Sequence, residues 1–167
     1  NLTVHGFGAH EYDMLMWLQD ATCETVYAMG RANNPIWDGV DEVSALFELS
    51  DGSFANMRQS LNTLDGGWDE VIMAEHGCLR VASDRFEWQP FGGEKQVHEH
   101  PLDPTGGFGA ECGEFLAAIR DGREPEAGVR QARWVQAVIE AVELSIAERR
   151  AVNLREEFGE FGPLTVS

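Results

Sequence analysis

Between Val43 and His100 the chain is a succession of short alternating runs separated by turn residues, and this constrains the fold more than any other feature. Val43, Ala45, Phe47 and Leu49 alternate with Ser44, Leu46 and Glu48, the period of a strand with one more apolar face. Ser50-Asp51-Gly52 is a hairpin signal. Residues 53–62 return as a strand whose one face, Phe54, Asn56, Arg58 and Ser60, is unusually polar. Residues 70–75 and 79–82 read as strands joined through His76-Gly77, and residues 86–89 and 95–100 as two more. Strands that follow one another through short turns pair antiparallel.

Helical spacing flanks this meander. Residues 11–18 read as a short helix with Tyr12, Leu15, Met16 and Leu18 on a stripe, followed by a strand at 22–29 and a turn-rich loop at 31–40. Beyond Pro104-Thr105-Gly106-Gly107 the period changes: Phe108, Cys112, Phe115 and Ile119 share a helical face that Gly122 closes. A longer helix is expected over 129–149 on the stripe Val135, Val138, Ile139, Val142 and Ile146. Residues 151–154 read as a last short strand, and 155–167 as a tail or arm outside a domain spanning 1–154. This is an α+β plan: an open, mostly antiparallel sheet with helices on one face. Apolar residues stand on both faces of several strands (Leu46 beside Phe47, Ile72 beside Val71), so the second face is expected to form an interface, most simply in a homo-oligomer.

Composition narrows the functional classes. The net charge is −17 and Lys95 is the only lysine, so the surface repels nucleic-acid backbones and anionic membranes. Cys23, Cys78 and Cys112 are odd in number and lack a C-x-x-C pair, which argues against a disulfide scaffold or zinc ribbon and for a reducing, cytoplasmic setting. Asn1-Leu2-Thr3 matches a glycosylation sequon, read as chance because no secretion signal accompanies it. No G-x-G-x-x-G follows a strand and opens a helix, so no dinucleotide site is expected on this chain. Without an initiator Met, Asn1 opens directly into a patterned segment, and the chain is expected to continue a larger protein.

Gly8-Ala9-His10-Glu11-Tyr12-Asp13-Met14-Leu15-Met16-Trp17-Leu18 resembles the G-x-H-x-x-D-x-x-x-W-L signature of the Gfo/Idh/MocA oxidoreductases. Further stretches agree in order. Phe47 to Gly52 is similar to the family's strand and turn, and Glu75 to Val81 to its hairpin, with Ala74 in place of the first Gly. Glu114 to Pro125 is similar to its helix and exit, and Val138 to Leu154 to its last helix and strand. The resemblance covers about residues 6–154. It implies the C-terminal, substrate-binding and oligomerisation half of a dehydrogenase acting on a sugar, polyol or related hydroxyl compound. NAD or NADP is then held mainly by an N-terminal Rossmann domain outside this chain, and this half alone is expected to be inactive.

Moving a hydroxyl proton during hydride transfer suits a group titrating near neutrality, as histidine does. His10 matches the family's substrate-site histidine and is the candidate catalytic residue. The Asp that many members carry four residues earlier is replaced by Gly6, so either the neighbouring His5 takes part of that work or the pairing is absent. Asp13 matches the signature Asp and is either a substrate contact or a helix-start residue. Arg58 and Asn56 are candidates for binding hydroxyls or a carboxylate, against a solvated strand face. Trp37 either covers a sugar ring or anchors its loop, and Trp68 reads as packing. His98 and His100 share a strand face, but without a third spaced ligand no metal is expected. The competing reading is a non-catalytic dimerisation or small-molecule-binding module.

Overall fold

The computed structural model describes residues 2–64, 69–82 and 84–160. The chain divides into two compact units, residues 1–63 with 126–167 and residues 64–125. The α+β class and the open antiparallel sheets are as expected, but the strands form two four-stranded sheets instead of one.

The larger unit holds the sheet β3-β2-β1-β8, formed by β1 (Cys23–Arg31), β2 (Glu42–Leu49), β3 (Phe54–Ser60) and β8 (Val152–Asn153). Alternation does what the sequence pattern requires. Cys23, Val26 and Ala28 of β1 and Val43, Ala45, Phe47 and Leu49 of β2 point inward and are buried. Their core partners on α3 (Val129–Glu148) are Trp134, Val135, Val138, Ile139 and Val142. The β2–β3 hairpin turns where expected: Gly52 has φ +84° and the Asp51 carboxylate accepts from the Ser53 amide at 2.9 Å. β8 reaches only as far as Val26 of β1. Beyond it, the hydroxyl of Ser145 on α3 accepts from the Ala28 amide at 2.8 Å and donates to the Arg150 carbonyl at 2.6 Å. A buried hydroxyl thus replaces one rung of the ladder.

Three expectations need correction. The first helix, α1, is longer than residues 11–18: it spans Gly8–Gln19 and is preceded by a π-helical segment, Leu2–Phe7. Phe7 keeps a right-handed helical backbone (φ −73°, ψ −40°), so the chain enters α1 without a break and His10 does not begin a helix. The strand expected at 151–154 is two residues long, because Leu154 already begins α4 (Leu154–Phe158). The start of the expected arm is therefore helical: Leu154 is buried and the Asn153 side chain accepts from the Glu156 amide at 3.1 Å, an N-cap. The third concerns α2 of the smaller unit (Phe108–Asp121).

The smaller unit holds β4 (Glu70–Ala74), β5 (Gly77–Ala82), β6 (Arg85–Pro90) and β7 (Gln96–Glu99) in sequence order, with α2 (Phe108–Asp121) following. One sheet face carries Ile72, Leu79, Val81, Phe86 and Trp88, and Phe86 stacks on His98 at 4.7 Å between ring centroids. The other face is a charge ladder in which Asp69 pairs Arg80, and Glu87 pairs both Arg85 and Lys95. α2, expected to pack with the other helices on one sheet face, turns its stripe outward: Phe108, Phe115 and Ile119 are exposed, and Ala118 is the helix's one buried residue among those described.

Candidate functional site

The chemistry-bearing residues of the first signature lie on α1, whose circumference is apolar nearly all round. Tyr12, Leu15 and Met16 face the core and are buried, while Phe7, Met14 and Trp17 lie with His10 on the other side, at the i, i+3, i+7, i+10 positions of one face. Trp17 is 62% exposed and His10 is exposed between these apolar neighbours. Gly8 is required by the packing: a Cβ there would meet ring carbons of Tyr12 at 2.8 and 2.9 Å.

Polar contacts tie this segment to its surroundings. His5 Nε2 lies 2.9 Å from Glu143 Oε1 on α3. Gln131 of α3 donates from Nε2 to Asp13 Oδ1 at 2.7 Å. Gln59 of β3 donates to Glu11 Oε2 at 2.8 Å, and its Oε1 accepts from the Tyr12 hydroxyl at 3.4 Å. Burial, then the negative charges of Glu11 and Glu143, push the Tyr12 phenol above its ordinary range, so it remains a neutral donor.

The candidates do not all converge. His5, His10 and Asp13 belong to the helical layer on the inner side of the sheet. Asn56 and Arg58 stand on the opposite, open face, where Arg58 donates to Glu42 Oε1 at 3.0 Å and Arg31 donates to Glu42 Oε2 at 3.0 Å. These two guanidinium groups hold the Glu42 carboxyl below the usual carboxylate range. Trp37 is half-buried in the 31–40 loop. That loop is clipped by the fully buried Asp41, whose carboxylate accepts from the Asn33 and Asn34 amides at 2.6 to 3.0 Å. Burial alone raises the Asp41 carboxyl, but those amides and the Asn62 side chain outweigh it and hold it low. Trp68 lies outside the described residues, as do Asn1 of the sequon and the end of the expected tail.

Sequence reasoning passed over Gln59 and Gln131. A signal for Gln59 existed: it shares its strand parity with Ala55 and Met57, so it had to face inward and find partners. Gln131 lies four residues before Val135 on the apolar stripe of α3, a weaker sign of the same kind. No group of three His, Cys, Asp or Glu arranged for a metal ion occurs among the described residues. No helix among them is long and apolar enough to cross a membrane.

No protein-family profile matches the sequence, and no curated protein does. Solved structures match in fold. An oxidoreductase from Agrobacterium radiobacter, in complex with NAD+, L-tartaric acid and magnesium, is 18% identical with a TM-score of 0.81, covering 92% of this chain and 49% of that one. An aldose–aldose oxidoreductase from Caulobacter crescentus, complexed with glycerol, is 19% identical at a TM-score of 0.77, covering 87% and 45%. A UDP-N-acetylglucosamine 3-dehydrogenase from Acidithiobacillus ferrooxidans is 21% identical at 0.72, covering 84% and 45%. The chain thus spans about half the length of the chains it matches. Its fold is shared with a portion, about half, of each of these oxidoreductase chains.

Proposed function

We propose that this chain is the substrate-side half of an NAD(P)-dependent oxidoreductase acting on a hydroxyl of a sugar, polyol or related compound. The carrying observation is His10: an exposed imidazole on α1, among the exposed apolar residues Phe7 and Trp17. An imidazole in that setting fits a general base for a carbinol once a second surface covers it and excludes water. The nicotinamide supplies the hydride acceptor or donor, and a dinucleotide-binding half supplies that covering surface. The fold likeness and the signature around His10 support the reading.

The test is hydride transfer by the holoenzyme, followed at the nicotinamide absorbance with candidate sugars and polyols. His10→Ala is expected to lower kcat by about 100-fold or more. An unchanged kcat removes His10 from the mechanism.

A second reading, an oligomerising module without redox activity, is favoured by the open sheet face. There Tyr27, Met29, Leu46 and Phe54 are exposed on adjoining strands, with Phe54 83% exposed. Light scattering distinguishes the parts: a homo-oligomer that Phe54→Asp dissociates supports an interface on this face, and a monomer rejects it.

A further inference from the structure

A helix with one apolar stripe is oriented by burial, because only one rotation about its axis hides the stripe. α1 has no such stripe. Tyr12, Leu15 and Met16 lie inward and Met14, Trp17 and Leu18 on the other side, so burying apolar surface, which is non-directional, distinguishes poorly between rotations. The side that His10 occupies must therefore be set by directional contacts.

Two such contacts grip the helix from opposite flanks. Glu11 and Asp13 are two residues apart, about 200° around the axis. Glu11 is held by Gln59 of β3 at 2.8 Å and Asp13 by Gln131 of α3 at 2.7 Å. Each is a carboxamide donating to a carboxylate, a charge-assisted bond stronger than a neutral one. Both are partly withdrawn from water, and Gln59 is buried. Any substantial rotation of α1 breaks both at once and strands the Gln59 amide in the interior.

We propose that Gln59 and Gln131 are positioning residues: together they fix the rotation of α1 about its axis, and so the direction in which His10 is presented. The assignment of a catalytic task to His10 rests on the reading above; the rotational clamp does not.

The experiment is hydroxyl-radical footprinting of the chain, read by mass spectrometry at Trp17 against Met16, which is 2% exposed. In the native protein Trp17 oxidises readily and Met16 does not. Q131L and Q131E, the second setting carboxylate against carboxylate, are expected to raise the Met16-to-Trp17 ratio several-fold while Phe47 and Trp134 stay protected. D13N/Q131E, which reverses donor and acceptor at the same side-chain lengths, is expected to restore the native ratio. Should Q131L fail to fold, Q131E against D13N/Q131E decides the same point. A lowered melting temperature with an unchanged ratio overturns the proposal, since that is what a merely stabilising bond gives. In the holoenzyme, Q131E is expected to lower kcat about tenfold or more with a smaller change in KM, the signature of a misdirected group. A ratio that moves while kcat does not leaves the clamp standing and removes His10 from the chemistry.

Discussion

The two units are built from similar strands yet hold themselves together differently. In the larger unit the inner face of the sheet is sealed: Val26, Val43, Phe47, Val142 and Val152 are at most 2% exposed and belong to one cluster with α3. In the smaller unit Gly77 and Ala118 are the buried residues among those described, and the apolar sheet face of Ile72, Leu79, Val81, Phe86 and Trp88 is only partly buried. Its other face is held by exposed ion pairs, which contribute little in water. The strand pattern is thus a statement about local geometry, whereas burial depends on what the sheet meets. Stability should concentrate in the larger unit.

Paired truncations test that contrast most strongly. Phe47→Ala is expected to cost about 3–5 kcal/mol, as a large core side chain does. Phe86→Ala, at a 40% exposed position, is expected to cost about 1 kcal/mol. Urea denaturation measures both, and equal losses break the comparison. Ser145→Ala comes next within the larger unit. It removes the acceptor of the Ala28 amide and the donor to Arg150 while barely changing volume, so about 1–3 kcal/mol is expected from the stranded backbone group. Hydrogen exchange at Ala28 should accelerate in that variant, and an unaltered rate denies the Ser145 rung.

The Asp41 clip predicts a pH signature. Its carboxyl is held below the unfolded value, so it contributes stability that is fully present above about pH 4 and is lost as pH falls through the lower folded value. Asp41→Asn is expected to lower the melting temperature at neutral pH, and the gap to the native protein should narrow steadily below about pH 4. A gap that is constant with pH assigns the loss to packing. Thiol labelling gives a smaller-scale contrast between the units. Burial pushes the Cys23 thiol up to about 12, whereas Cys112 on α2 is exposed. Cys112 should react promptly in the native protein, and Cys23 only after unfolding.

Much of the fold was legible where local chemistry decides it. The Ser50-Asp51-Gly52 turn, the αL Gly122 after α2 and the valine stripe of α3 follow from backbone freedom and the helical period. What was not legible depends on partners. The division into two sheets turns on which strand edges meet, and alternation carries no information about edges. The outward turn of the α2 stripe is equally invisible, because a stripe specifies that something covers it and not what. The continuous helical entry to α1 escaped because a π segment has no distinct composition. Of the candidate site, the signature brought His10 and Asp13 onto one helix, and His5 lies in the segment just before it. Asn56 and Arg58 were read on the polar face of their strand, and that face lies on the other side of the sheet.

That separation frames the smallest expected effect. Arg58 shares Glu42 with Arg31 on the open face, and its side chain is 72% exposed. Exposed pairs of this kind rarely change stability, and Arg31 remains to hold Glu42 if Arg58 is removed. Arg58→Ala should therefore leave the denaturation midpoint within experimental error. The two roles of the open face then diverge in the assembled protein. If Arg58 binds substrate, KM rises in the holoenzyme while the oligomer is unchanged. If the face is an interface, an oligomer formed through it dissociates more readily at low ionic strength while KM for any remaining assembly holds. Arg58 stands on the sheet face opposite the helical layer that carries His10, so the second outcome is the one expected.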